Sequence, residues 1–427
     1  MKRPLRPAAL IALLLAALSP SAEAQTFMVI HDFTAGVDGS LPYAGLTMDR
    51  AGSLYGTTSA GGTAAHGSVF RLKPSNGSWL LNTLYSFDPL HKEDGASPES
   101  RVVFGPDGSL YGTANYGGIS NCTNGCGTVY KLRPPEKVCK SAQCYWTETI
   151  LYEFTGGNDG GYPGLADLVF DRIRNIYGTT YEFGASSVGV VYQLSSSGGG
   201  WTQNVLLTFD RTNGQYPESG LLFDQAGNLY GVASYGGQYT HGVAYQLVPS
   251  GSGWSQNVLH SFQGSGDGIA PFGGLISDSA GNLYGTTAIG GTRNLGTVFE
   301  LSPSGGGWNY SLLYSFTDQG TPQATLAMDA AGNLYGTTYG SADGEYGTVF
   351  KLSPSSGGWT YTTLHTFTGG HDGAHPWGSV ALDAAGNLYG TTPEGGAYGA
   401  GVVWEIMPST GRCCIATSAA ARIKKSR

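Results

Sequence analysis

At 427 residues the chain is long enough for two or three domains. Gly at 69 positions, 12% aromatic residues, 12% charged residues and no Gly-x-y period exclude a helix-rich, a disordered and a collagen-like chain. Net charge is −8; setting aside the +2 of residues 1–24 and the +5 of residues 412–427 leaves −15 on the body, a poor partner for nucleic acid or an anionic membrane surface.

Residues 1–24 read as a secretory signal peptide. Lys2, Arg3 and Arg6 form the charged start, Ala8 to Leu18 an apolar run too short to span a bilayer, and Ala22-Glu23-Ala24 a small-x-small cleavage pattern before Gln25. The mature protein is expected to be secreted, periplasmic or extracellular, in a compartment that permits disulfides. No other stretch approaches the ~20 apolar residues of a transmembrane segment.

From Gln25 onward one unit recurs seven times. Its hallmark, Gly386-Asn387-Leu388-Tyr389-Gly390-Thr391-Thr392, has counterparts centred on Tyr55, Tyr111, Tyr177, Tyr230, Tyr284 and Tyr335, spaced 56, 66, 53, 54, 51 and 54 residues apart. The unit from Phe262 to Phe316 shows the plan. After a polar loop at Gly266-Asp267-Gly268 and Pro271, Gly274 to Asp278 is a short apolar strand, a. Ser279-Ala280-Gly281 turns the chain into strand b, Asn282 to Thr287. A glycine-rich loop leads to strand c, Gly296 to Leu301, with alternating side chains. Ser302 to Gly307 is a turn, and Trp308 to Phe316 is strand d. Four short strands at a steady period are the signature of a propeller blade, and repeats that bury one another's faces act as one domain.

Strands a, b and c occur seven times, but a d strand follows only the first six c strands, ending at Phe87, Phe154, Phe209, Phe262, Phe316 and Phe367. None follows Gly401 to Ile406, whereas Thr26 to Phe33 has the d pattern and precedes the first a strand. The expected fold is therefore all-β: a seven-bladed β-propeller of four-stranded blades over residues 25–408, closed by the N-terminal strand pairing into the last blade, which removes free edges. The mid-strand Gly of Leu54-Tyr55-Gly56 suits a place where neighbouring sheets approach closely. Asp49, Asp171, Asp224, Asp278, Asp329 and Asp383 stand at the a–b turn, where a carboxylate accepts hydrogen bonds from turn amides; blade two has Gly105 there, with Pro106-Asp107-Gly108 as its turn.

The sequence G-N-L-Y-G-T-T, then G-G, then G-T-V-F-x-L, then Trp and a terminal Phe resembles the secreted bacterial tandem-repeat family called GloVer, over about residues 26–408. The resemblance implies an exported β-propeller of unknown biochemical function. Members often end in surface-anchoring tails; this chain departs there, its residues 409–427 forming a flexible basic tail with Cys413-Cys414 and no apolar anchor helix.

Several residues invite chemistry. Asp38, Asp94, Asp159, Asp267 and Asp372 precede most a strands in Asp-Gly-x-x-Pro elements, with Asn213 in blade four and a shortened loop around Gln319-Gly320 in blade six. One oxygen ligand per blade falls short of the six to eight that calcium takes, so these read as turns. His371, Asp372 and His375 have the donor types for a transition metal but sit on a loop without a rigid element, so no metal site and no cofactor is assigned. His31, His260 and His365 occupy the place of Tyr85, Tyr152 and Tyr314 in other d strands and read as packing. There is no G-x-S-x-G, no His-Glu-x-x-His and no phosphate-binding loop; pairs such as Gly117-Gly118 and Gly236-Gly237 open strand-connecting loops. Cys122 and Cys126 lie on one side of a c strand roughly 20 Å long, and Cys139 and Cys144 on the other. Disulfides need Cα atoms within about 7 Å, which leaves the local pairs Cys122–Cys126 and Cys139–Cys144.

With no catalytic constellation, the reading is a monomeric, non-catalytic protein that binds an extracellular glycan, peptide or protein; the alternative is a lyase or glycan-active hydrolase using carboxylates at the channel mouth. The repeats serve as an internal alignment. Positions alike in all copies serve the blade, and the residue after the Pro that opens strand a varies: Tyr43, Glu99, Glu218, Phe272, Gln323 and Trp377, with Gly164-Leu165 in the longer blade three. These are the expected ligand-binding residues, at the channel rim, with Tyr116, Tyr181, Tyr235, Tyr339 and Tyr398 brought to the same end by the b–c loops. Aromatics with acids and amides on one concave face suit a sugar or peptide. Paired carboxylates with a raised pKa there would favour the enzyme.

Overall fold

In a computed structural model, residues 25–88, 94–118, 122–136, 145–251, 253–264, 266–340 and 344–408 are described. They form seven four-stranded antiparallel sheets, with no helix among them, arranged as a seven-bladed β-propeller. The last sheet takes its outer strand from the other end of the chain. Thr26–Asp32 pairs antiparallel with Val402–Met407, from Thr26 opposite Met407 to Asp32 opposite Val402. The reciprocal strand deficit in the sequence has this physical meaning: the ring is closed by main-chain hydrogen bonds between the two ends.

The b strands are the buried heart of each blade. All five residues of Leu54–Thr58, Leu283–Thr287 and Leu388–Thr392 are buried. Each letter of the recurring motif has a partner. Asn282 and Tyr284 both donate to Oδ2 of Asp278, at 2.8 and 3.1 Å, while Oδ1 of the same Asp accepts the Ala280 and Asn282 amides. Tyr284 also packs edge-on against Trp359 of the next blade, as Tyr230 does against Trp308 and Tyr389 against Trp79. A Cβ on Gly285 would collide with Phe299 and Leu275. The first Thr of the pair donates to a main-chain carbonyl at the axis of the next blade: Thr57 to Ser100 (3.0 Å), Thr179 to Ser219 (3.2 Å), and Thr391 to Ala44 (2.8 Å) across the closure. In blade two Asp107 takes over the turn, accepting from Ser109 and Tyr111 and pairing with Lys131 at 2.6 Å.

Three expectations on the strands need correction. Strand a is only two residues long, as in Ile276–Ser277, because at the axis the chain leaves the sheet and bonds to the neighbouring blade; the Gly274 amide donates to Thr325 Oγ1 at 2.8 Å. Strand c is buried on both faces rather than alternating, since a blade lies against each side of it; Thr297 to Phe299 are all buried. Strands c and d also run on through the expected turn, to Ser304 and from Gly307. The pairing with strand b stops at Leu301, so Pro303, which lies opposite Trp308 of strand d, has no strand on its other side. Alternation belongs to strand d, the outer edge: Gly307–Ser315 reads exposed and half-buried in turn over its first residues.

The disulfide Cys122–Cys126 is formed, with Cα atoms 5.2 Å apart. Cys139, Cys144, Cys413 and Cys414, with residues 1–24 and 409–427, lie outside the described residues. A non-reduced digest is expected to release Cys122 and Cys126 in one disulfide-linked fragment; a Cys122–Cys139 fragment would contradict this pairing.

One junction departs from the repeat. Two residues after the d-strand Trp stand Gln203, Gln256 and Tyr310, each donating to a carbonyl of the loop that opens its blade, at 3.1, 2.9 and 2.7 Å. Blade two places Glu148 there, close to the buried Asp94, with the Tyr85 hydroxyl within hydrogen-bond reach of both carboxyls, 3.4 Å from Glu148 and 3.0 Å from Asp94. Burial holds both carboxyls above the ordinary range, so the fold favours a proton on the pair. Such a contribution is fully present below the ordinary value of 4.5 and is lost as pH rises towards the raised one. Glu148→Gln is therefore expected to raise unfolding free energy by about 1–3 kcal/mol at pH 8 and by little at pH 4. Parallel pH–stability curves for the two proteins would show that the pair carries no such penalty.

Candidate functional site at the axial mouth

The mouth is set by a backbone feature repeated in every blade. The residue before each rim proline has positive φ: Leu41, Ser97, Tyr162, Tyr216, Ala270, Thr321 and His375 all lie between 53° and 60°. This region is costly for residues with a Cβ and persists only where surroundings fix it. Here they do. The N–H of each donates to a carbonyl in the b–c loop of the preceding blade, as Leu41 to Ala400 (3.0 Å) and His375 to Tyr346 (2.8 Å). In six blades its carbonyl accepts an amide of its own b–c loop, as Tyr162 does from Tyr181 (3.0 Å); blade seven has Pro393 at that place. The inward turn is thus clamped between two blades, and the side chain after the proline is delivered to the axis.

All six expected rim residues line one axial cavity of about 500 Å³, and Leu165 completes the ring from blade three. Each is half-buried, between a buried proline and, in most blades, a buried small residue. Two residues further along, a second ring lines the same cavity. In it Arg101 pairs with Asp167 through Nη2 (2.8 Å) and Nε (3.0 Å), across the boundary between blades two and three. Two polar atoms of the lining, Ser219 Oγ and Gln323 Oε1, are buried without a hydrogen-bond partner. Such atoms are costly unless something in the cavity satisfies them.

Beside the axis a cleft of about 610 Å³ opens over blade three. Gly164, Leu165, Ala166 and Thr179 come from blade three itself. Glu99 and Asn115 reach it from blade two, Pro217 and Glu218 from blade four, with Tyr162, Tyr181 and Trp377 around them. Asn115 Nδ2 donates to Glu99 at 3.3 Å. Burial pushes the Glu99 carboxyl up to about 7 and that of Glu218 to about 8. Burial, then the nearby Glu218, push Tyr181 up to about 12.

The loop tyrosines divide into two arcs. Tyr339 stacks on His375 (4.4 Å between centroids) and meets Trp377 edge-on (5.5 Å), and Trp377 meets Tyr43 (6.1 Å). Across the mouth Tyr116 packs on Tyr162, Tyr181 on Tyr216 (4.8 Å), and Tyr216 on Tyr235. Tyr398 joins neither arc and is 66% exposed. Arg101, Asp167, Asn115 and Tyr162 escaped the sequence reading, although the internal alignment held the signal: the residues before the proline and three after it vary as freely as the one chosen.

The other candidates serve the scaffold. The Asp-Gly carboxylates accept hydrogen bonds within their own loops and from the preceding d strand. Asp267 takes His260 (2.8 Å), Asp159 takes Tyr152 (3.0 Å) and Asp372 takes His365 (3.1 Å). The exchange of His for Tyr in strand d thus preserves a hydrogen bond as well as packing. His375 is held by Nδ1 on the Tyr339 carbonyl (2.8 Å), apart from those partners of Asp372. A larger groove of about 1140 Å³ runs past Phe223, Asp224, Tyr230 and Trp308. Its Asp, Tyr and Trp recur in most blades to fix turns and interfaces, so the mouth, where residues differ more between blades, is the better candidate.

The repeat profile described as the Gloeobacter/Verrucomicrobia repeat matches residues 17–146, 123–277 and 221–421. The chain belongs to this family. No curated protein matches the sequence. Among solved structures, the Gloeobacter/Verrucomicrobia repeat chain is similar to a polysaccharide lyase, ulvan lyase, bound to -[GlcA(1-4)Rha3S]-: TM-score 0.56, 10% identity, covering 90% of this chain and 96% of that one. A second ulvan lyase structure gives TM-score 0.55 at 10% identity, with 87% and 94% covered. At this identity the likeness is one of fold.

Proposed function

We propose that this member of the repeat family is an exported binding protein whose axial mouth takes a glycan. Export rests on the charged, apolar and small-residue pattern of residues 1–24, with a disulfide in blade two as the supporting feature. Among the described residues no helix is long and apolar enough to cross a membrane.

The observation that carries the binding reading is convergence. Seven equivalent positions, free to differ because the frame does not use them, meet around one cavity as Tyr43, Glu99, Leu165, Glu218, Phe272, Gln323 and Trp377. Flat aromatic faces, an amide oxygen and a hydroxyl left without partners, and two carboxyls among apolar groups are what a saccharide site needs: surfaces for sugar C–H faces and groups for sugar hydroxyls. The mouth carries no basic cluster for nucleic acid, and the body is acidic.

The raised carboxyls favour a second reading, an enzyme acting on the bound glycan, and the fold relative bound to a polysaccharide fits either. A glycan array on the purified protein is expected to return a ligand. Substituting Trp377, Tyr43 and Glu218 by Ala in one protein should then weaken that binding at least 100-fold, about 2.7 kcal/mol, with the thermal transition retained. Unchanged binding by the folded triple variant would place the ligand away from the mouth.

A further inference from the structure

We propose that the cleft over blade three hydrolyses a glycosidic bond of the glycan it holds, with Glu218 as general acid and Glu99 as general base. The proposal rests on the glycan-binding reading and adds a reaction to it. Of the seven rim positions only those of blades two and four are acidic, so the two carboxyls approach the cleft from either side of blade three. Blade three is the one with an extra residue, and that residue is Gly164. A Cβ there would run into the Asn115 side chain. Blade three thus gives the cleft a low floor where other blades raise a single rim side chain, and both carboxyls open onto the space above it.

Packing does not account for the pair. The equivalent positions elsewhere hold Tyr, Phe, Gln, Trp and Leu; no Lys, Arg or His lines the cleft, and Arg101 of the adjoining axial cavity is paired with Asp167. Two half-buried carboxyls without a cation are a destabilising choice for a scaffold and a working arrangement for proton transfer. Their settings differ. Burial raises both carboxyls, and Glu99 accepts the Asn115 amide at 3.3 Å, a donor that suits the charged form a general base needs.

The step balances without a cofactor. Glu99 takes a proton from a water, whose oxygen forms the new bond to the anomeric carbon. The bond from that carbon to the glycosidic oxygen breaks, and the oxygen keeps the electron pair and takes the proton of Glu218. Exchange with solvent returns a proton to Glu218 and removes one from Glu99. Such a step needs the two carboxyls about 6.5–9.5 Å apart, with the water between one of them and the sugar. Tyr162, Tyr181 and Trp377 supply the aromatic walls that hold the sugar and exclude bulk solvent.

The experiment uses the full mature chain with xylan, laminarin, polygalacturonate and ulvan, measuring binding, new reducing ends and absorbance of unsaturated products. The expected result is release of reducing ends from a polysaccharide that binds, with a bell-shaped pH profile whose limbs are set by the two raised carboxyls. Glu99→Gln and Glu218→Gln should each slow cleavage at least 100-fold, by far more than either weakens binding. Binding without cleavage by the wild-type protein would overturn the inference and leave the binding reading standing. Failure to bind any of the four would overturn both for these probes' chemistry. Unsaturated products would overturn hydrolysis in favour of elimination, and cleavage undiminished in both folded variants would remove the carboxyls from the reaction.

Discussion

Seven aromatic contacts hold this ring together. The Phe that ends each d strand is almost fully buried and meets the c-strand aromatic of the next blade: Phe87 on Tyr130, Phe154 on Tyr192, Phe209 on Tyr245, Phe262 on Phe299 and Phe316 on Phe350, at 5.1 to 5.4 Å between centroids. The series does not break at the closure. Phe33, from the N-terminal strand, meets Phe70 at 5.2 Å, and Phe367 meets Trp404 at 6.1 Å. Each contact is worth about 0.5–1.5 kcal/mol beyond the area it buries. The amide of each Phe also donates to the glycine that opens its own blade's c strand or, at Phe33, to Gly401 of the strand it completes. One side chain therefore joins two blades while its backbone finishes a sheet.

That constraint explains the composition. A blade pressed on both faces has little room for charge in strands b and c, and needs glycine where an aromatic ring from the neighbouring strand crosses it, as at Gly285 beneath Phe299. The same logic frees the mouth. Once Asp, Asn, Tyr, Gly, Thr, Trp and Phe have been committed to turns, interfaces and closure, what remains variable is the short inner segment. The clamped turns before the prolines hold that segment in a fixed place whatever side chain it carries. Site and scaffold are thus separable: a rigid ring of backbone hydrogen bonds presents seven interchangeable positions.

The blade count, the closure, the local cysteine pair and the convergence of the rim could all be read from the chain, because each follows from a spacing. Two kinds of feature were less legible. Strand lengths were misjudged where a neighbouring strand decides the outcome: strand a is cut short by bonds to the adjacent blade, and strand c runs past Pro303 because strand b of its own blade reaches no further than Leu301. Side-chain partnerships were also hidden. Arg101 with Asp167 joins two blades across 66 positions, and Glu148 with Asp94 joins the two ends of blade two across 54, so only the folded ring and the folded blade bring them together. The positive φ before each rim proline has no composition signal at all, since Leu, Ser, Tyr, Ala, Thr and His all occupy it.

The central claim is that the variable inner ring, and not the repeated outer grooves, is where the protein meets its ligand. A crystal structure of the protein with the shortest oligosaccharide that binds tests it most directly. The account predicts sugar density over Gly164 and Leu165, between Glu99 and Glu218 and against Trp377. Density instead in the groove beside Phe223 and Trp308, with the mouth holding only water, would contradict it.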